Sequence, residues 1–310
     1  MVAEPGASST GLSDLWAGLL QVADRSLPPA PGTYRLRDGY MQPVAESSAD
    51  ALFTVRGGGH WSVCAQVRGE ARNLLELYLP VLFDGAAEGM TVGHLGQSLD
   101  GCIATCQGES LGVTGPENIL HLHRMRALCD AIVVGSVTVE RDDPRLTTRL
   151  VAGSNPVRVV LDPGLRLMES YTLFNDAEAP TLVVCLDGAE RGRRRHGRAD
   201  ILPLAGRDGR LDLVAVVRNL RERGLRRIFV EGGGVTVSGF LQARCLDRLQ
   251  IAVSPLIIGS GRPGLRLPAS SGLAYSLRPA CHIYRMGDDV LMDCALDGAA
   301  LRSADLQRLA

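Results

Sequence analysis

The sequence predicts an α/β protein: a mixed, mostly parallel sheet with helices on both faces and a C-terminal antiparallel hairpin, preceded by a small α+β appendage. Three observations carry this. From Met90 onward, short apolar runs alternate with helical stretches, as in sheets whose strands are buried on both faces between crossover helices. The last two runs, residues 282–284 and 290–294, flank Gly287-Asp288 and read as a closing hairpin. Residues 1 to about 89 do not follow that alternation.

In the appendage a helix over Leu12–Ala23 is followed by the Pro- and Gly-rich breaker at 27–32. Strands are expected around 51–56 and 61–67. The Gly57-Gly58-Gly59 between them reads as hairpin punctuation, because no strand-loop-helix frame surrounds it. A helix over 71–78 and a turn at Asp84-Gly85 complete this part. Next, residues 90–96 form a strand, and a helix over 116–129 opens with Pro116 in its first turn. Its apolar Ile119, Leu122, Met125 and Leu128 are expected to face the core. Residues 131–134, Val157–Leu161 and Thr181–Leu186 are strands. An amphipathic helix over 213–223 is stopped by Gly224. A strand over 227–230 runs directly into Glu231-Gly232-Gly233-Gly234 and a helix to about Ala243. Leu249, Ile251 and Val253 alternate with Gln250, Ala252 and Ser254, which predicts a half-exposed strand. The expected domains are 1–89, an appendage without visible chemistry; 90–297, the α/β domain; and 298–310, a tail.

The 310 residues are 45% hydrophobic, enough for one large or two modest cores. A net charge of -1 provides no global field for nucleic acid or an acidic membrane surface. No apolar run approaches the roughly 20 residues of a membrane helix, and MVAEPGASSTG lacks the features of a signal peptide. A soluble, cytoplasmic protein is expected. Lysine is absent, so all 33 basic residues are arginine. This excludes the P-loop lysine, Schiff-base chemistry and a lysine general base. The eight cysteines are scattered, and Cys102 and Cys106 lack the second pair that a zinc site requires. His121 and His123, two apart, point to different parts of a helix surface. No metal is expected, and the thiols read as reduced core cysteines.

Three segments could carry chemistry. In the segment 228–234 a buried strand ends in glycines before a helix, which lets backbone N–H groups approach a pyrophosphate. Val237 stands where a third glycine would complete a Rossmann fingerprint, so that motif fails; an ordinary tight turn explains the segment equally well. In the stretch 138–149 the proline holds Asp143 extended, so a fixed loop rather than a helix is expected. Its carboxylates and arginines suit either a polar substrate or capping. Ser98-Leu99-Asp100-Gly101, Gly108-Glu109-Ser110 and Thr114-Gly115-Pro116 place hydroxyls and an acid near a strand end, where ligand binding and turn formation both account for them. The basic run at 191–198 has no interleaved aromatics and reads as a solvated loop.

Taken in order with Met125-Arg126-Ala127, Val159-Val160-Leu161-Asp162 and the segment 254–259, these motifs resemble the reductase domain of bacterial riboflavin biosynthesis. The resemblance covers residues 90 to 295 and implies a dihydrofolate-reductase-like fold. It also implies reduction, with NADPH, of the ribosyl group of 5-amino-6-(5-phosphoribosylamino)uracil to ribityl. The implied partners are that phosphorylated pyrimidine and a second copy of the chain, through the sheet region near the C-terminus. Carried over by position, Asp100 and Glu231 are the catalytic candidates. Ser110, Arg126, Leu146, Arg149 and Glu231 would contact substrate. Ala104, Gly112, Thr138, Asp142, Gly232, Gly233, Gly234, Val235 and Thr236 would contact cofactor. Arg166, beyond a strand end, fits either a 2′-phosphate contact or a surface arginine. Residues 1–89 contain neither H-x-E nor P-C-x-x-C, so no zinc deaminase is expected. Three positions depart from the family pattern: Cys102 replaces a cation, Gly112 an aromatic and Pro163 a hydroxyl. They keep two further readings open: a related pyrimidine- or pteridine-like substrate, or a non-catalytic nucleotide-binding protein.

Overall fold

The computed structural model describes residues 11–24, 30–84, 89–269, 272–273 and 276–296. The expected tail, Gly85 and the first residues of the proline breaker lie outside them. The chain forms two compact units, residues 1–88 and 89–310.

The first unit contains α1 (Leu12–Ala23), β1 (Gly32–Arg37), β2 (Tyr40–Val44), β3 (Phe53–Val55), β4 (Trp61–Val63) and α2 (Gly69–Phe83), its sheet ordered β2-β1-β3-β4. The glycine triplet turns between antiparallel β3 and β4, as expected. Sequence reading missed the β1–β2 hairpin, although Asp38-Gly39 announces it. Both residues have positive φ, 52° and 76°, and Arg37 pairs with Tyr40 across a two-residue loop. Helix α2 runs past the expected end at Tyr78 and through Pro80, because Leu79, Val81 and Phe83 are buried. Trp16 meets Tyr78 edge-on at 5.7 Å and Phe53 stacks on Tyr34 at 5.4 Å, so aromatic contacts dominate this small core.

The second unit opens with β5 (Met90–Ser98), β6 (Cys102–Ala104), α3 (Pro116–Leu128), β7 (Ala131–Gly135), α4 (Ser136–Asp142), β8 (Val157–Leu161) and α5 (Thr172–Asn175). It continues through β9 (Thr181–Leu186), β10 (Arg195–His196), β11 (Ala199–Leu204), β12 (Gly206–Arg207), β13 (Arg210–Leu211) and α6 (Leu213–Glu222). It ends with β14 (Arg227–Glu231), α7 (Gly234–Gln242), β15 (Arg248–Ser254), β16 (Arg262–Pro263), β17 (Ala280–Met286) and β18 (Asp289–Ala295). Ten strands form one sheet, ordered β10-β11-β9-β8-β7-β14-β5-β15-β18-β17. The strands from β11 to β15 in that order are all parallel; β10 and β18 run antiparallel to them, and β17, antiparallel to β18, ends the sheet in the direction of the parallel strands. Val216, Val217 and Leu220 of α6 and Val237 and Phe240 of α7 pack on Ala131, Val133, Ile228 and Val230. Helix α3 meets the sheet at His94 and Gln250, and His94 also contacts Phe229.

Three local expectations are corrected. The stripe of α3 is not Ile119, Leu122, Met125 and Leu128: Ile119 is 40% exposed, and Asn118, His121, Met125 and Leu128 are buried. A strict three-residue step drifts about 60° round the helix each time, whereas three-four spacing stays on one side. The buried face of β15 is the polar one, with Gln250 at 0% exposure and Ala252 and Ser254 buried while Ile251 and Val253 are only half-buried. Both deviations have one cause. His94 bonds Asn118 at 3.1 Å, His121 bonds Gln250 at 2.9 Å, and Asp293 accepts from Gln250 and from buried Arg248. His94, Asn118, His121, Gln250, Arg248 and Asp293 are thus matched to one another across elements, which periodicity cannot show. Finally, the stretch 138–149 begins as helix α4, and Asp143 is left-handed (φ 37°), not extended. Its carboxylate accepts from the Thr172 amide and hydroxyl at 2.7 and 2.8 Å, which holds it there.

Burial pushes the His94 imidazole down to about 4 and, with His94 as a repelling neighbour, His121 down to about 3. Both are neutral when folded and protonate near pH 6.5 when unfolded. Their contribution is therefore complete above pH 6.5 and is lost as pH falls toward those values. Urea unfolding should weaken by up to about 1.4 kcal/mol per pH unit for each histidine. His121→Gln should remove one histidine's share of that slope.

Candidate active site

Parallel strands bring their carboxyl ends to one edge, where open α/β sheets bind ligands. Here that edge carries Ser98, Gly135, Leu161, Glu231 and Ser254. Strand β14 passes through Glu231 and Gly232 into α7, with Gly233 as N-cap and no side chain capping the helix. The Thr236 amide donates to the Gly233 carbonyl at 3.0 Å, and no side-chain oxygen caps the first turn of α7. The Gly233 amide donates to Thr138 Oγ1 at 3.4 Å. A Cβ on Gly234 would overlap the Gly264 carbonyl oxygen, and one on Gly135 would stand 2.5 Å from Thr236 Oγ1. The turns leaving β7 and β14 are therefore pressed together, and only glycine fits at these two points.

Beside this turn Glu231 is held by Arg126 of α3. The guanidinium donates to both carboxylate oxygens at 2.8 and 2.5 Å, and its third nitrogen donates to the Thr147 carbonyl at 3.1 Å. Arg126 is 8% exposed. Three of its donors thus position Glu231 and the loop at Thr147. Arg149 donates to Thr147 Oγ1 at 2.8 Å, and its amide donates to His123 Nδ1 at 2.9 Å, which places the imidazole proton on Nε2. Desolvation, then Arg126 and Arg149, pushes His123 down to about 4, so it is neutral at physiological pH. Desolvation and the like charges of Arg126 and Arg145 lower Arg149 from the usual arginine range. A bound anion would relieve that crowding. Leu146 is buried in the left-handed region at φ 55°. Fully buried Arg158 of β8 donates to the neighbouring Arg145 carbonyl at 3.3 Å and pairs with Asp176.

Asp100 has a different setting. Ser98 Oγ and the Ile258 amide donate to Oδ1 at 2.5 and 3.2 Å, and the Gly259 amide donates to Oδ2 at 2.7 Å. The Ser98 hydroxyl, then these amides, holds the carboxyl below its ordinary range. Both oxygens are engaged, so Asp100 fastens the 254–259 loop to the end of β5. Cys102 is buried with its thiol on the Gly259 carbonyl at 3.4 Å, so no cation replaces the one expected there. Ala104 is buried in β6, paired with Arg262 of β16. Ser110 and Gly112 are exposed on the following loop; Gly112 is left-handed (φ 81°) with open space beside it. A Cβ at Gly108 would run into Arg141 and Arg262, so two guanidinium groups flank the Gly-Glu-Ser turn.

The fold thus gathers Glu231, Arg126, Leu146 and Arg149 around Thr147, and Thr138, Gly233, Thr236 and Gly135 around the glycine turn. Asp142 ends α4, and Val235 is 70% exposed in the first turn of α7. Sequence reading missed Thr147, His123 and Arg262, which show no local signal, and Arg158, which does: an arginine amid the apolar run Val157–Leu161.

Residues 92–291 match the family model described as RibD C-terminal domain. The chain belongs to that family. A 2,5-diamino-6-ribosylamino-4(3H)-pyrimidinone 5′-phosphate reductase of Methanothermobacter thermautotrophicus is 34% identical over 210 residues, covering 65% of this chain and 95% of that protein. The riboflavin biosynthesis protein RibD of Aquifex aeolicus is 35% identical over 167 residues, 53% of this chain but only 46% of that protein. The chain therefore spans nearly all of the first relative and just under half of the second. The deaminase/5-amino-6-(5-phosphoribosylamino)uracil reductase of Thermotoga maritima superposes with a TM-score of 0.58 at 26% identity, covering 73% of this chain and 61% of that one. This RibD-type chain has the dihydrofolate-reductase-like fold and, with its relatives, is a reductase of the riboflavin-biosynthesis type. The match does not include a deaminase domain. No helix of the described residues is long and apolar enough to cross a membrane.

Gly234→Ala should destabilise the second unit by about 1–3 kcal/mol, because backbone rather than a side-chain tip must yield. Gly233→Ala, whose Cβ would meet only Thr138 Oγ1 at 3.7 Å, should unfold at nearly the wild-type urea midpoint.

Proposed function

We propose that this RibD-type chain is an NADPH-dependent reductase that converts the ribosyl group of 5-amino-6-(5-phosphoribosylamino)uracil to ribityl. The observation that carries this reading is the Arg126–Glu231 pair, held at 2.5 and 2.8 Å beside the uncapped glycine turn at the carboxyl edge of the sheet. A dinucleotide needs bare backbone donors for its pyrophosphate, and a phosphorylated sugar needs cations and a fixed acceptor; the two lie on adjoining elements.

The residues fit the cofactor. Gly232, Gly233, Gly234, Val235 and Thr236 would hold the pyrophosphate on the N-terminus of α7, with Thr138 and Asp142 alongside and Ala104 and Gly112 toward the nicotinamide. When bound, the nicotinamide supplies hydride to the sugar C1′ of the ring-opened imine, whose nitrogen takes a proton. The chain's own work is positioning. Glu231 accepts from substrate hydroxyls or N–H groups, and Arg126 fixes its two oxygens. Arg149 takes the phosphate, with Ser110 and buried Leu146 closing the substrate side. Asp100 acts as a positioning residue for the loop over this edge.

A second reading is favoured by one observation: the archaeal relative that the chain covers almost end to end is named for the 2-amino analogue of this pyrimidine. In that reading the substrate has not been deaminated. Cys102 and Gly112 also leave room for a related pyrimidine. A second copy of the chain is part of the proposal, checked by sedimentation at assay concentration.

The test is NADPH oxidation by the full chain with each pyrimidine phosphate in parallel, and with NADH as control. Turnover of the uracil form supports the first reading, turnover of the diamino form alone the second, and neither despite tight NADPH binding overturns both. Arg166 is exposed on the segment that follows β8, the strand two places from β14 in the sheet, and is proposed as the contact to a cofactor 2′-phosphate. Arg166→Gln should raise KM for NADPH about 10- to 100-fold through loss of a charged hydrogen bond, with KM for NADH unchanged.

A further inference from the structure

All eight cysteines are described, and two of them face each other. In the β17–β18 hairpin Cys281 is the register partner of Cys294. Directly opposed residues of antiparallel strands have Cα atoms about 4.5 or 5.5 Å apart. Both separations lie inside the roughly 4.4–6.8 Å that disulfides span. The register puts the two side chains on the same face of the hairpin, and the Cys281 thiol donates to the His282 carbonyl at 3.5 Å. Their surroundings differ. Cys281 is exposed on the outermost strand, contrary to the expectation of buried thiols throughout, whereas Cys294 is 7% exposed and belongs to the apolar cluster beneath α6 and α7. Arg248 favours the Cys281 thiolate and Asp293 opposes it.

We propose that Cys281 and Cys294 form a thiol–disulfide exchange site, with Cys281 as the attacking thiol and Cys294 as the resolving thiol, for low-molecular-weight disulfides. The site is separate from the reductase edge and does not rest on the reductase activity proposed above; it lies in the C-terminal sheet region expected to meet a second copy of the chain, so it requires that Cys281 stay open to solute there. The Cys281 thiolate attacks one sulfur of the small disulfide, releasing one thiol and leaving a mixed disulfide. The Cys294 thiolate, its proton passed to solvent, then displaces the second small thiol and closes the Cys281–Cys294 bond. The small disulfide gains two electrons, the protein loses two, and two thiols leave. An exposed attacker is reached by solute, and a buried resolver, directly opposite it in the register, is reached only by its partner. The product staples the outermost strand to β18, whose Asp293 anchors Arg248 and Gln250.

The test incubates the full-length protein with glutathione disulfide and follows mass and non-reduced peptide maps. Wild type should lose two hydrogens, retain no glutathione and yield a cross-linked peptide joining residues 281 and 294, reversed by dithiothreitol. Cys294→Ala should instead trap one glutathione on Cys281, and Cys281→Ser, at an exposed position, should lose the cross-link while folding normally. A stable glutathione adduct on wild-type Cys281, oxidation confined to the other exposed thiol at Cys106, or no reaction at all would overturn the proposal. Because every readout is covalent, failure of the NADPH assay leaves it unaffected, and its own failure leaves the reductase reading unaffected.

Discussion

The bidentate ion pair between Arg126 and Glu231 is the constraint on which the site depends. It joins a helix residue, a strand end and, through the Thr147 carbonyl, the loop that follows α4. Removing either partner would leave a charge in a largely dry place, which is far more costly than a lost surface contact. The pair therefore fixes where α3 sits against β14, where Glu231 points, and how closely Thr147 and Arg149 approach. Arg158 acts similarly one layer further in, where its buried guanidinium ties the Arg145 carbonyl to Asp176 and the ends of β8 and β9. In a chain without lysine, planar guanidinium groups make these multi-point attachments, a task for which a compact ammonium is poorly shaped.

The sheet supplies the rest of the geometry. Parallel order brings β7 and β14 side by side, and their exit glycines allow the two turns to interlock, Gly135 against Thr236 and Gly233 against Thr138. Ser98, Asp100 and Cys102 form a second fastening, which clips the 254–259 loop onto the end of β5. Binding groups from distant parts of the chain are thereby held by hydrogen bonds between side chains and backbone amides or carbonyls, the fixed geometry that preorganised sites require. The left-handed Asp143 and Leu146 on the loop after α4 fit this picture: strained residues persist where their neighbours over-determine them.

Much of the fold was legible because it rests on local rules. The run of apolar strands, Pro116 at a helix start, Gly224 at a helix end and the Gly287-Asp288 hairpin are short-range statements about backbone preference. The glycine turn after Glu231 and the ordered motifs were legible for the same reason. What remained illegible was pairing. Ile119 was expected inside because its spacing looked regular, yet His121 took the inward place through a hydrogen bond to Gln250, a residue 129 positions away. Arg126 was expected at the substrate, and only the approach of β14 shows that it also holds Glu231 and the Thr147 carbonyl. Asp100 was a candidate catalyst, and only the fold shows that it also receives the Ile258 and Gly259 amides. The β1–β2 hairpin is a different kind of miss, since Asp38-Gly39 carried its signal.

By itself, then, the sequence determined the elements, their alternation, the bare glycine turn and the exclusion of lysine chemistry, because each follows from residue type and near neighbours. Tertiary structure alone decided which charges are satisfied, which polar face is buried, and which two of eight cysteines face each other. Those outcomes depend on contacts between residues far apart in the chain. A hydrogen bond or ion pair depends on distance and direction in space, and neither is encoded in spacing along the sequence.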